Sequence, residues 1–486
     1  MTVTVESTTQ TQLYIGGEWV DPSTSNVLRP INPSTEQPLG QVPEAKEKDI
    51  DRAVAAARAA FDDPQGWASW EVSRRAEIME RFADELEKRG AQIAHLVSSQ
   101  NGMPISMSGP VEGGFPAVAL RYYAGLIREQ GIEEQRAGIF GRPTRVRHEP
   151  VGVVAAIVPW NFPQALAFVK IAPALAAGCT IVIKPSPETV IDSYTMIEAA
   201  HAAGVPAGVL NIVPAGREVG AYLVGHPGVD KVGFTGSTEA GRSIGATCGQ
   251  LLRPVTLELG GKSAAILLDD ADLPSLAAEF VDATLQNNGQ TCYVCTRIFA
   301  PRAKYAEFVD QITKIVSSLR VGDALDPATQ VGPLVSERQR ARVEKYIEIG
   351  LAEGGRITTG GRRPEHLDRG FFVEPTVFAD VTNDSTIARE EIFGPVLAVI
   401  PYDTIDDAIA MANDSEFGLG GSVWGQDTER ALDVARRIQT GGVGINFYSH
   451  DIGSPFGGVK ASGLGREQGP EGLAAYQSLK TIYNAP

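Results

Sequence analysis

Between Val151 and Leu268, short β-branched runs alternate with helical stretches, and this alternation limits the possible fold more than any other feature of the chain. Strands are expected at 153–158, 180–183, 210–213, 231–234, 255–257 and 264–268. Helical patterns fill 165–177, 191–203, 219–224 and 240–247. The strands are apolar at successive residues, the pattern of a parallel sheet covered by helices on both faces. This predicts an α/β fold with a doubly wound nucleotide-binding domain.

The alternation then starts again. Strands are expected at 297–300, 371–377, 396–399, 421–424 and 443–446, with helices from Tyr305 and at 337–352, 406–412 and 428–438. A chain of 486 residues exceeds one ordinary core, so this is a second α/β domain. A ligand belongs in the crevice between the two, at strand carboxyl ends. Ahead of both lie a short hairpin at 14–20, a helix at 50–61 capped by Asp49, and a helix at 74–99 punctuated near Gly90. The stretch 129–150 and the strand at 478–483 alternate but carry charge, which suits edge or projecting strands.

A formal charge of −16 with no basic tract disfavours nucleic acid or an anionic membrane as partner. The polar start at 1–12 does not read as a signal peptide, and no apolar run reaches the ~18 residues of a membrane helix. Four cysteines make no disulfide framework, so a reducing cytoplasm is the expected compartment. Cys292 and Cys295 have Cys-x-x-Cys spacing, but no second pair and no histidine spacing completes a metal site.

The chemistry concentrates in two segments. One is Leu257-Glu258-Leu259-Gly260-Gly261-Lys262, an acid followed by a glycine turn; the other is Gly289-Gln290-Thr291-Cys292. A thiolate is the nucleophilic form of cysteine, and a nearby carboxylate can act as general base. Taken singly, each also fits a buried thiol and a surface acid. Pro159-Trp160-Asn161-Phe162-Pro163 follows the first strand, where an asparagine amide could steady an oxyanion. Gly236 and Ser237 open a helix after a strand, suiting phosphate binding by backbone amides. That turn continues as GxxxxGRS, one residue from a P-loop, but it lacks the phosphate-binding lysine. A P-loop nucleotide hydrolase and a non-catalytic binding or structural protein are the alternatives.

LELGGK and GQTC closely resemble the two signature segments of the NAD(P)-dependent aldehyde dehydrogenases, and the likeness runs from about Tyr14 to Lys480. The resemblance implies a Rossmann-like NAD(P)-binding domain (1–128 and 151–258) and a catalytic domain (259–460). It also implies a small β oligomerisation extension (129–150 and 461–486), with strands pairing across subunits of a homodimer or homotetramer. By the same likeness Cys292 attacks the aldehyde, Asn161 holds the oxyanion, Glu258 activates water, and Lys170 and Glu467 assist proton relay. Lys184, Trp160, Gly236, Ser237, Glu391 and Phe393 fall on coenzyme positions. Phe162, Leu166, Val169, Tyr448, His450 and Phe456 fall on the substrate tunnel, which suggests an uncharged, hydrophobic aldehyde. One departure concerns coenzyme choice. Many NAD-preferring members carry a glutamate three residues after the lysine, where this chain has Pro187, with Glu188 next. No arginine lies nearby in sequence, so NAD is expected, with NADP tolerated.

Overall fold

The computed structural model describes residues 8–139 and 141–483. Residues 1–7 of the polar start and 484–486 of the C-terminal segment lie outside the described residues. In chain order, a hairpin of β1 (Leu13–Ile15) and β2 (Glu18–Val20) precedes α1 (Glu47–Asp62), α2 (Val72–Asn101) and α3 (Phe115–Gln130). Strands β3 (Glu133–Arg136) and β4 (Thr144–Pro150) lead into β5 (Val153–Ile157), α4 (Pro163–Ala177), β6 (Thr180–Lys184), α5 (Asp192–Ala203) and β7 (Leu210–Ile212). Then come α6 (Arg217–Gly225), β8 (Lys231–Thr235), α7 (Thr238–Gln250) and β9 (Val255–Glu258).

These strands form one sheet in the order β9-β8-β5-β6-β7-β1-β2, parallel from β9 to β7. Both faces are buried, as the continuous apolar runs require. Val153, Ala155 and Ile157 face α1, α6 and α7, while Val154 and Ala156 face α2 to α5. The chain runs from β5 outward through β6 and β7, then returns to β8 on the other side. The crevice at that reversal is where a doubly wound sheet binds its ligand. Register aligns the carboxyl ends: Ile157 pairs with Lys184 and Phe234, and Thr235 with Glu258.

Residues 259–263 carry the chain from β9 into β10 (Ala264–Leu267) of a second sheet. It continues with α8 (Ala277–Leu285), β11 (Arg297–Pro301), α9 (Tyr305–Ser317), α10 (Glu337–Ala352), β12 (Arg356–Thr359), β13 (Thr376–Ala379) and β14 (Val396–Tyr402). It ends with α11 (Ile405–Asn413), β15 (Gly421–Trp424), α12 (Thr428–Arg436) and β16 (Gly444–Ile445). The order is β12-β13-β14-β11-β10-β15-β16, parallel except at β12. Beyond it, β17 (Gly463–Leu464) returns to the first sheet beside β9, and β18 (Gln477–Tyr483) pairs along the whole of β4. The two charged strands thus form one three-stranded sheet with β3.

Several local expectations shift. Asp49 does not precede its helix; it is the third residue, accepting from the Lys46 amide at 3.1 Å. Helix α2 runs through Gly90 unbroken, and that glycine faces the Gly113 carbonyl, which a Cβ would approach to 2.8 Å. The strand expected from 371 begins only at Thr376, after Pro375. Helix α3 had no counterpart in the sequence reading.

Candidate active site

Cys292 is delivered by a turn that only certain residues can make. After α8, Asn287, Asn288 and Gly289 take φ of 51°, 61° and 74° in succession. Asparagine and glycine are the residues that enter this left-handed region most readily. At Gly289 a Cβ would lie 2.3 Å from the Gly394 carbonyl. Side-chain amides fasten the turn: Asn288 donates to the carbonyls of Gly102 and Pro333, both at 2.9 Å, and accepts from the Gly332 amide at 2.6 Å. Gln290 accepts from the Val335 amide at 2.9 Å.

The glycine pair after Glu258 is explained by contact. A Cβ at Gly261 would lie 2.4 Å from the Cys292 carbonyl oxygen, and one at Gly260 would lie 2.7 Å from the Glu391 carboxylate. Instead the Gly261 amide donates to Glu391 at 3.0 Å. The crossing between the two sheets therefore touches the Cys292 main chain and the Glu391 carboxylate together.

Asn161 is buried, and two side-chain amides hold its main-chain carbonyl, Asn101 at 3.0 Å and Asn287 at 2.9 Å. Its own amide donates one hydrogen to the Gln290 carbonyl at 2.9 Å and has a second to offer. Asn161 and Cys292 both line two cavities. One, of 260 Å³, has apolar walls that include Phe115, Phe162, Leu166 and Phe456, with Glu467 also on its surface. The other, of 440 Å³, is lined by Trp160, Gly236, Ser237, Gln339, Glu391 and Phe393. Beneath them, buried Lys170 donates to Glu467 at 2.8 Å and to Thr235 at 2.6 Å. Glu258 lies sunk among these groups, neither carboxylate oxygen hydrogen-bonded.

Burial sets the protonation. It pushes the Cys292 thiol far above its usual range, and the charges of Glu391 and Glu258 add to the effect. Burial, then the Glu467 charge, raises Glu258 well above an ordinary carboxyl, with Lys170 and Arg466 opposing. Glu391 is raised to about 7 by burial, against the Gly261 amide and Arg342.

The sequence profile of the Aldehyde dehydrogenase family matches residues 19–482. The chain belongs to that family. It is 54% identical over 471 residues to a geranial dehydrogenase of Castellaniella defragrans, covering 97% of this chain and 98% of the relative. A Mycobacterium tuberculosis aldehyde dehydrogenase complexed with NAD+ superposes with a TM-score of 0.96 at 48% identity, covering 99% of each chain. A Pseudomonas syringae aldehyde dehydrogenase complexed with NAD+ and octanal gives 0.93 at 38%, covering 97% of this chain and 96% of that one.

In this aldehyde dehydrogenase the glycine turn caps a helix, with the Ser237 hydroxyl accepting from the Ala240 amide at 3.3 Å. Arg242, which stands where a P-loop has its lysine, points to the surface and pairs with Glu416 at 3.3 Å. Phe393, at a φ of 63°, stands edge-on to Trp160 with ring centres 5.3 Å apart. Residues of α10 hold it there: Gln339 donates to the Phe393 carbonyl at 2.8 Å, and Arg342 to that of Glu391 at 2.5 Å. Gln339 and Arg342 escaped the sequence reading because they present only as polar residues on a solvated helix.

Lys184 stands apart at the end of β6, donating to the carbonyls of Pro185 and Ala215 at 2.7 and 3.0 Å, and burial lowers it to about 8. Glu188 accepts from Ser186 at 2.5 Å. Contrary to expectation, an arginine does reach it: Arg338 lies 3.4 Å away. Of the tunnel residues, all but Tyr448 line the apolar cavity; Tyr448 is buried against Tyr293.

Proposed function

We propose that the protein oxidises an uncharged, hydrophobic aldehyde to its carboxylic acid with NAD, through a thioester on Cys292. The observation that carries this reading is the wall shared by the two cavities, where Cys292 and Asn161 face an apolar chamber on one side and a glycine-turn chamber on the other. The second chamber fits a dinucleotide. Its glycine turn opens α7, Glu391 offers a carboxylate to hydroxyls, and Trp160 and Phe393 supply aromatic walls.

The Cys292 thiol first gives its proton to solvent in the open cavity. The thiolate sulfur adds to the carbonyl carbon as the C=O π pair moves onto oxygen, and the second Asn161 hydrogen with the Cys292 amide steadies that oxyanion. NAD, when bound, supplies the hydride acceptor. Glu258 then takes a proton from water, the resulting hydroxide attacks the thioester carbon, and Cys292 departs as thiolate. Glu467, held by Lys170, faces Glu258 and raises its affinity for that proton.

The substrate class follows from the apolar lining. Among its described residues the one carboxylate is Glu467, already bound to Lys170, so no free carboxylate remains to pair with a charged group on the substrate. The names of two relatives, one acting on geranial and one complexed with octanal, agree with this chemistry. NADH formation with geranial, octanal and betaine aldehyde tests it. The first two are expected to show the higher kcat/KM, and Cys292→Ala to abolish turnover while NADH still binds. Preference for betaine aldehyde would overturn the substrate reading, and a Cys292→Ala enzyme near wild-type turnover would overturn the mechanism.

We further infer a cytoplasmic homodimer or homotetramer joined through the β3, β4 and β18 sheet. That sheet and the loops at its ends expose Ile132, Ile139, Leu479 and Tyr483. All four cysteines are free, as suits a reducing compartment, and no described helix is long and apolar enough to cross a membrane.

A further inference from the structure

The Glu188–Arg338 contact joins the two halves of the molecule at the coenzyme crevice. Glu188 belongs to the loop after β6, the second strand of the doubly wound order, and Arg338 to the first turn of α10 in the other domain. An acid after the second strand is where dinucleotide folds hold the adenosine ribose 2′-hydroxyl. Arg338 also lines the 440 Å³ cavity beside Gln339 and Arg342. Those two neighbours point their donors at main-chain carbonyls of the Glu391–Phe393 segment, whereas Arg338 reaches over the crevice mouth. Its side chain is 84% exposed against 29% for Glu188, so the pair adds little to stability and the guanidinium can change partner.

We propose that Arg338 sets coenzyme choice by exchanging partners: Glu188 holds it when the ribose carries a 2′-hydroxyl, and the 2′-phosphate of NADP takes it when present. The inference rests on the crevice being the dinucleotide site. A guanidinium presents a planar fork of donors that matches phosphate oxygens, and a carboxylate beside it competes for that fork. Glu188 therefore disfavours NADP twice, by repelling the phosphate and by occupying its receptor. The usual family glutamate has no such arrangement here, because Pro187 fills its place.

The test is a cycle of Glu188→Ala, Arg338→Ala and the double variant, reading the ratio of kcat/KM for NADP to that for NAD. Inhibition by 2′-phospho-AMP against 5′-AMP gives a second, turnover-free readout. Glu188→Ala is expected to raise the ratio by about two- to fivefold, as an exposed ion-pair partner is released. Arg338→Ala should lower it, the double variant should lose the gain, and Arg338→Lys should restore part of it. A Glu188→Ala gain that survives Arg338→Ala overturns the proposal, as does 2′-phospho-AMP inhibition unmoved by Arg338→Ala. Wild-type protein that fails to bind NADH would instead overturn the dinucleotide site itself.

Discussion

A buried carboxyl with both oxygens unpartnered costs about 1–3 kcal/mol relative to a satisfied one, and Glu258 carries that cost close enough to Cys292 for its charge to act on the thiol. Such expense marks groups that must exchange protons. As its pKa is raised, Glu258 is protonated at low pH and becomes a base as pH rises, so thioester hydrolysis should accelerate with pH. Glu258→Gln should flatten that profile and leave an NADH burst of about one equivalent before a slow steady rate, the hydride step being spared. Stopped-flow absorbance reads both, and unimpaired steady turnover would remove Glu258 from the role. Asn161→Ala should instead suppress the burst itself, by about 10²–10³ in rate if its free hydrogen meets the oxyanion. Cys292 and Glu258 were legible as candidate chemistry because each lies in a short segment with a glycine turn, Gly260-Gly261 after Glu258 and Gly289 before Cys292, and because the two segments together resemble one family's signatures. The Lys170–Glu467 pair was legible only through resemblance: the partners lie 297 positions apart, and neither spacing nor periodicity links them.

At the scale of elements, strands and helices of the two sheets were legible because their apolar runs are continuous and their lengths ordinary. Helix α3 was not, since Gly109, Pro110, Gly113, Gly114 and Pro116 look like a loop. In fact residues Gly109–Gly114 form one π-helical turn, and Pro116 lies where a first-turn helix residue needs no donor. That turn buries Glu112, whose one oxygen accepts from the Gln164 amide at 2.8 Å while the other has no partner. Burial, with the Asp192 charge adding to it, raises its carboxyl from 4.5 to about 8. The folded state thus binds this proton more tightly than the unfolded chain does. Its contribution to stability is complete below about pH 4.5 and is lost as pH rises toward 8. Asp192 itself, raised to about 6, completes most of its loss earlier. Between pH 6 and 8 Glu112 should therefore lower the unfolding free energy by on the order of 1 kcal/mol per pH unit, with Glu391 and Glu258 adding slopes of the same sign. Glu112→Gln should remove the Glu112 share, so that the variant's Tm falls less steeply than the wild type's. Parallel slopes for the two proteins would show that Glu112 ionises normally.

At the scale of the whole molecule, the fold works by bringing the carboxyl edge of one parallel sheet against the loops of another, with residues 259–263 as the shared crossing. The alternation told of two such sheets; their mutual orientation was not legible, because it depends on contacts such as Gly261 against the Cys292 carbonyl that leave no periodic trace. The projecting sheet is the part least accounted for by one chain. In the order β18-β4-β3, β18 lies at an edge, and its seven residues are mostly exposed, Leu479 at 60% and Tyr483 at 79%. A strand edge offers unpaired amides and carbonyls to another chain, and apolar side chains on it go uncovered unless a partner arrives. The same strand pairs with β4 over its full length, so it is held ready rather than formed on contact. Placing a charge there should act on assembly and spare the fold. Leu479→Asp is expected to reduce the particle mass measured by light scattering, with circular dichroism and NADH binding by the remaining species retained. A mass equal to that of the wild type would move the subunit contact away from β18.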